Sequence, residues 1–156
     1  MTLRRGWPHG GGPLPLIGDE SHLALVNFLK EITLSLPIPS SILLISAHWE
    51  EEIVTITSGK SPSIIYDYYG FPEQAYAIEY PAGGNPELAE KIYDFLKADS
   101  IEAKLDDERG FDHGVFVPLK IMYPEANIPC LQLSLLKNLS SESHIKIGRA
   151  LSKLRL

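Results

Sequence analysis

Three histidines stand where side chains could do chemistry. His48 follows an apolar run, in Ser46-Ala47-His48-Trp49-Glu50. A histidine at the carboxyl end of a buried strand has a fixed backbone and opens into the crevice above a sheet, which suits a metal ligand. An ordinary half-buried histidine, hydrogen-bonded beside Trp49, fits the same residues. His9 lies in Pro8-His9-Gly10-Gly11-Gly12-Pro13. Its glycines remove side-chain bulk, so a metal or ligand can approach the backbone, although a loose N-terminal loop has the same composition. His113 sits in Arg109-Gly110-Phe111-Asp112-His113-Gly114. Held at a bend, it can give a proton or hydrogen-bond a ligand, while Asp112 caps the helix that follows. His22 and His144 fall on helical stretches among polar neighbours and are expected in solvent.

Two other chemistries fail on spacing. An oxyanion loop of the His-Gly-Gly-Gly type needs a Gly-x-Ser-x-Gly nucleophile turn, and the chain has none. Gly59-Lys60-Ser61 resembles the end of a phosphate loop, but position 54 is Val where the first glycine belongs. The segment Ile65-Tyr-Asp-Tyr-Tyr-Gly-Phe-Pro72 holds three of the chain's 7 tyrosines and could wall a pocket for a planar substrate. Packing of a long loop onto the core explains most of these rings equally well. Glu50, Glu51 and Glu52 read as a solvated strand connection, or as a carboxylate that orients His48.

The elements that must position these residues alternate along the chain. A helix is expected over His22–Ser35, where Leu25, Phe28, Leu29 and Ile32 recur at helical spacing and Pro37 follows. Ser41–Ala47 reads as a strand buried on both faces, and Ile53–Thr57 as a second, β-branched strand. Asn85, Pro86 and Glu87 supply a cap, a proline at the first helical position and an acid in the first turn of a helix running to Ala98. A short strand over Ile101–Leu105, a helix over Val115–Tyr123 with Pro118 near its start, and a strand over Pro129–Leu135 come next. A last helix is capped by Ser140 or Ser141. This alternation predicts a three-layer α/β domain, with a mainly parallel sheet and helices on both faces.

Composition sets the remaining bounds. The 156 residues carry 14 Lys+Arg against 20 Asp+Glu, a net charge of −6, which argues against a nucleic-acid partner. Hydrophobic residues make up 44%, enough for one core. The apolar runs are too short for a membrane span, so no membrane partner is expected. The basic start, Met1-Thr-Leu-Arg-Arg, leads into Gly, Pro and His instead of an apolar stretch, which points to a cytoplasmic domain. Cys130, the single cysteine, excludes an intramolecular disulfide and a cysteine metal cluster. Asn138-Leu139-Ser140 matches a glycosylation sequon and is read as coincidence.

Taken in order, six strings resemble the class III extradiol ring-cleavage dioxygenases, in their DOPA 4,5-dioxygenase-like branch. They are His9-Gly-Gly-Gly-Pro-Leu-Pro-Leu, Ser46-Ala-His-Trp49, Ile65-Tyr-Asp-Tyr-Tyr-Gly-Phe-Pro72, Tyr80-Pro-Ala-Gly-Gly-Asn-Pro-Glu-Leu88, Gly110-Phe-Asp-His-Gly114 and Met122-Tyr-Pro-Glu-Ala-Asn-Ile-Pro-Cys-Leu-Gln-Leu-Ser134. The resemblance implies a non-haem Fe(II) site, with Zn(II) able to take its place, acting on a catechol-type substrate with O₂. It implies that His9 and His48 are two of three metal ligands and that His113 is a catalytic histidine lining the site near the substrate. It further implies that residues 1–156 are the N-terminal part of a single catalytic domain, truncated at the C-terminus. The family's later acid–base histidine and third ligand match nothing in the chain. The alternative is a catalytically inactive remnant that keeps partial metal binding. On either reading the last helix is expected to have no following strand beside it, which would leave an unpaired sheet edge and bare apolar surface.

Overall fold

The computed structural model describes residues 11–154, so the His9 assignment lies outside the described residues. Short 3-10 turns at Leu14–Leu16 and Glu20–His22 lead into helix α1, Leu23–Leu34. Strands β1 (Ile42–Glu51) and β2 (Val54–Thr57) follow, then a long loop with a 3-10 turn at Glu73–Ala77. Helix α2 spans Pro86–Ala98, strand β3 Ala103–Asp106, helix α3 His113–Met122, strand β4 Cys130–Leu136 and helix α4 Ser141–Leu151.

The four strands lie in the order β1-β4-β2-β3. β1 pairs with β4 and β2 with β3 in parallel, while β2 and β4 meet antiparallel at Ile56 and Leu133. The antiparallel seam follows from the two-residue link between β1 and β2, which reverses the chain. Hydroxyls complete that seam: the Gln132 N–H donates to Thr57 Oγ1 (2.8 Å) and the Thr55 N–H to Ser134 Oγ (2.9 Å).

Alternation along the strands builds the three layers. Ile42, Leu44 and Cys130 face α1 and α3, packing with Leu29, Phe111, Val115 and Phe116. Leu43, Leu131, Leu133, Val54 and Ile56 face the other way, onto Ile92 and Leu96 of α2 and Ile147 and Ala150 of α4. The expected α/β sandwich with helices on both faces is therefore present. α4 covers the sheet through Ile147 and Ala150. Exposed apolar side chains remain at α4 (Ile145, with Leu139 just before it), and also on and after α1 (Leu23, Phe28, Leu34, Ile38), at Ile45 of β1 and at Leu105 of β3.

Two elements differ from their sequence-based bounds in ways that matter for the site. β1 does not stop at Ala47; it runs on to Glu51 through an irregularity. Ile45 pairs with Leu133 and Glu50 with Leu135, so residues 46–49 stand opposite Ser134 alone. Such a bulge bends the strand and re-aims its side chains. α3 begins at His113 rather than Val115, because the Asp112 carboxylate accepts from the Gly114 N–H (3.0 Å) and caps the helix. Pro118 consequently lies inside α3 and not near its start.

Two histidines expected in solvent also have structural partners. His22 Nδ1 lies 2.9 Å from Asp19 Oδ1, and His144 Nε2 accepts from the Leu136 N–H (3.1 Å) at the end of β4.

Candidate metal centre

The bulge of β1 and the first turn of α3 bring His48 and His113 together, with ring centroids 4.0 Å apart. Gly114 makes this approach possible. A Cβ there would lie 2.8 Å from Ser46 Oγ and 3.0 Å from both Asp112 Oδ1 and His48 Cδ2. The close packing of strand against helix needs a residue with no side chain.

A third group completes the cluster. Asp67 reaches in from the aromatic loop, its carboxylate accepting from the His113 backbone N–H (2.9 Å) while the other oxygen lies 2.9 Å from His113 Nδ1. Among the described residues, His48, Asp67 and His113 form a group whose ligand atoms all lie within 4.8 Å of one another. Two imidazoles and a carboxylate are a donor set that suits a divalent transition metal. Burial pushes the Asp67 carboxyl up, but hydrogen bonds from the His113 ring and backbone, with the ring's charge, outweigh it and hold the group below its ordinary value.

Beneath the histidines lies a buried polar hub. Asp112 is fully buried and takes hydrogen bonds from Ser46 Oγ (2.7 Å), the Gly114 N–H and Gln132 Nε2. It also pairs with the Arg109 guanidinium (3.2 Å), which stacks over the Trp49 ring at 4.3 Å. Ser46 Oγ in turn accepts from the His48 N–H (3.2 Å). One carboxylate thus ties the β1 bulge, β4 and the start of α3 into a single arrangement. Among the described residues, Gln132 Oε1 and Arg109 Nε are buried with no hydrogen-bond partner.

The aromatic loop packs inward, as the core-packing reading expects. Tyr66 donates to the Ile78 carbonyl (2.7 Å) and Tyr68 to that of Ala75 (2.6 Å), while the Tyr68 ring meets His113 edge-on at 5.9 Å. Burial, then the neighbouring Tyr66, Tyr76 and Asp67, push the Tyr68 phenol up to about 12, so it stays a neutral hydroxyl. Tyr69 is the exception, 93% exposed. Of the three glutamates after Trp49, Glu51 accepts from Trp49 Nε1 (3.0 Å) and Glu52 pairs with Lys137 (3.2 Å). The carboxylate at the histidines is Asp67. Sequence reasoning misses it, although it is the one acid in the otherwise aromatic Ile65–Pro72 run, and that placement is the available signal.

Residues 20–156 match the family described as the catalytic LigB subunit of aromatic ring-opening dioxygenase. The chain belongs to this family. His48, Asp67 and His113 all fall inside the matched residues. A dioxygenase, tasH, of Hapsidospora irregularis is 43% identical over 94% of this chain and 48% of its own length. A 4,5-DOPA dioxygenase extradiol of Portulaca grandiflora is 41% identical over 90% of this chain and 52% of its own length. A crystal structure of an uncharacterized protein from Escherichia coli K12 superposes with a TM-score of 0.68 at 33% identity, covering 84% of this chain and 48% of that one. The chain therefore spans about half the length of the relatives it matches. No helix of the described residues is long and apolar enough to cross a membrane.

Proposed function

We propose that this chain is the N-terminal part of the catalytic domain of a metal-dependent extradiol dioxygenase that opens the ring of a catechol-type substrate with O₂. The observation that carries the reading is the juxtaposition of His48 and His113 at the bulge of β1, within the residues that match the ring-opening dioxygenase family. In this reading His48, with His9, holds Fe(II), for which Zn(II) can substitute, and His113 faces the substrate. When bound, the metal supplies a Lewis-acidic centre that brings a catecholate and O₂ together.

The chain's own residues do the rest. Asp112, through Ser46, fixes the backbone that aims His48. His113 lies at the start of α3, 8% exposed, where it can exchange a proton with a substrate hydroxyl. The Tyr68 ring, edge-on to His113 and backed by the buried Phe116, shields one side of it from water.

The alternative for residues 1–156 is a catalytically inactive remnant that keeps partial metal binding. The test is anaerobic loading with Fe(II), then catechol and O₂, following the yellow ring-cleavage product. Product formation, at whatever rate, should disappear in His48→Ala. Product that persists in His48→Ala would overturn the assignment of His48.

A further inference from the structure

We propose that Asp67 is the positioning residue for His113, locking its ring as the Nδ1–H tautomer and leaving Nε2 as the acceptor. The inference rests on the reading above only for what Nε2 acts upon; the tautomer itself follows from the local geometry.

The His113 backbone N–H is an obligate donor, and it donates to Asp67 Oδ1 at 2.9 Å. The second oxygen of the same carboxylate lies 2.9 Å from the ring Nδ1. An ionised carboxylate only accepts, so Nδ1 must carry the hydrogen. In the neutral ring that leaves the lone pair on Nε2. The carboxylate sits at the amino end of α3, bonded to its first backbone N–H, where a negative charge is favoured. The ring has little freedom to leave this arrangement, since Tyr68 meets it edge-on and His48 lies against it. A histidine held by a carboxylate at one nitrogen is the arrangement that sets which nitrogen faces a metal or a substrate.

The two bonds make a sharp forecast for Asp67→Asn. An amide offers one acceptor oxygen and one donor NH₂, whereas the site presents a fixed backbone donor and an adaptable ring nitrogen. The backbone N–H claims the oxygen, and the NH₂ then faces Nδ1. The ring must answer by moving its hydrogen to Nε2, which removes the acceptor. Asp67→Glu, which restores two acceptor oxygens on a longer arm, should bring the Nδ1–H form back.

The experiment is a long-range ¹H–¹⁵N correlation spectrum of the histidine rings in the whole chain, at about pH 8.5, where an ordinary histidine is neutral. The His113 signal is assigned by its loss in His113→Gln. The wild-type protein should show the Nδ1–H pattern, Asp67→Asn the Nε2–H pattern, and Asp67→Glu the Nδ1–H pattern again. Added Zn(II), held by His48 in the reading above, should leave the wild-type Nδ1–H signal in place, because the Asp67 carboxylate keeps that nitrogen engaged. An Nε2–H or doubly protonated ring in the wild-type protein would overturn the proposal with no variant needed. Retention of the Nδ1–H pattern in Asp67→Asn, or its loss on adding Zn(II), would overturn it as well. The tautomer pattern tests the role of Asp67 alone, while persistence of ring-cleavage product in His48→Ala counts against the dioxygenase reading alone.

Discussion

Removing the Asp112 carboxylate should cost this protein a large part of its stability. In Asp112→Ala, helix α3 loses its cap, worth about 1 kcal/mol. Gln132, fully buried and already short of a partner at Oε1, loses the acceptor for its NH₂, a penalty of about 1–3 kcal/mol. Ser46, 3% exposed, loses the acceptor for its hydroxyl, about 1 kcal/mol more. Arg109 loses its ion-pair partner but keeps the Trp49 ring and some solvent, which limits its share to about 1 kcal/mol. These groups share one centre and are not additive, so the expected loss is about 4 kcal/mol, against a total of about 5–15 kcal/mol for a domain. Urea unfolding followed by far-UV circular dichroism reads this directly. With a slope of about 2 kcal/mol per molar urea, the midpoint should fall by about 2 M. Asp112→Asn should cost roughly half as much: the Gln132 amide can turn so that Oε1 accepts from the new NH₂. A loss below about 1 kcal/mol in Asp112→Ala would refute the view that this carboxylate organises the site.

Two further perturbations probe the same geometry. Gly114→Ala should gain up to about 1 kcal/mol of helix propensity yet lose about 1–3 kcal/mol to crowding against Ser46, Asp112 and His48. Its metal affinity should fall at least tenfold, measured by equilibrium dialysis; unchanged affinity would show that His48 does not need the close approach. Asp67 makes stability depend on pH. Its folded-state pKa is depressed, so its contribution is present above the unfolded value of about 3.9 and is lost as pH falls through the folded one. The stability gap between the wild-type protein and Asp67→Asn should therefore be constant near neutrality and close below about pH 4, as read by urea midpoints across that range.

Much of the scaffold is legible in the sequence because its signals are local. The run Asn85-Pro86-Glu87 fixes the start of α2, and the Asn85 side chain does accept from the Leu88 N–H (3.0 Å). The buried strands and their alternation with helices specify the layers. His48 and His113 stand out by residue type and by their neighbours. What escapes is non-local. The bulge in β1 leaves no mark in the apolar pattern, because it is set by what β4 offers opposite residues 46–49. The start of α3 at His113 depends on a side-chain cap whose strength comes from its buried partners. Asp67 lies 46 residues from His113, and no local periodicity joins an aromatic loop to a helix start at that separation. The polar sequence neighbours of His144 point to solvent, but its partner is the backbone at the end of β4.

The metal centre is tested most directly by whether this chain takes up a divalent metal at His48. Anaerobic titration with Fe(II), and in parallel with Zn(II), should show one equivalent bound per chain, with affinity reduced at least tenfold in His48→Ala while the far-UV spectrum stays unchanged. Absence of uptake by the wild-type chain, or uptake that His48→Ala leaves untouched, would contradict the placement of the metal centre at the β1 bulge.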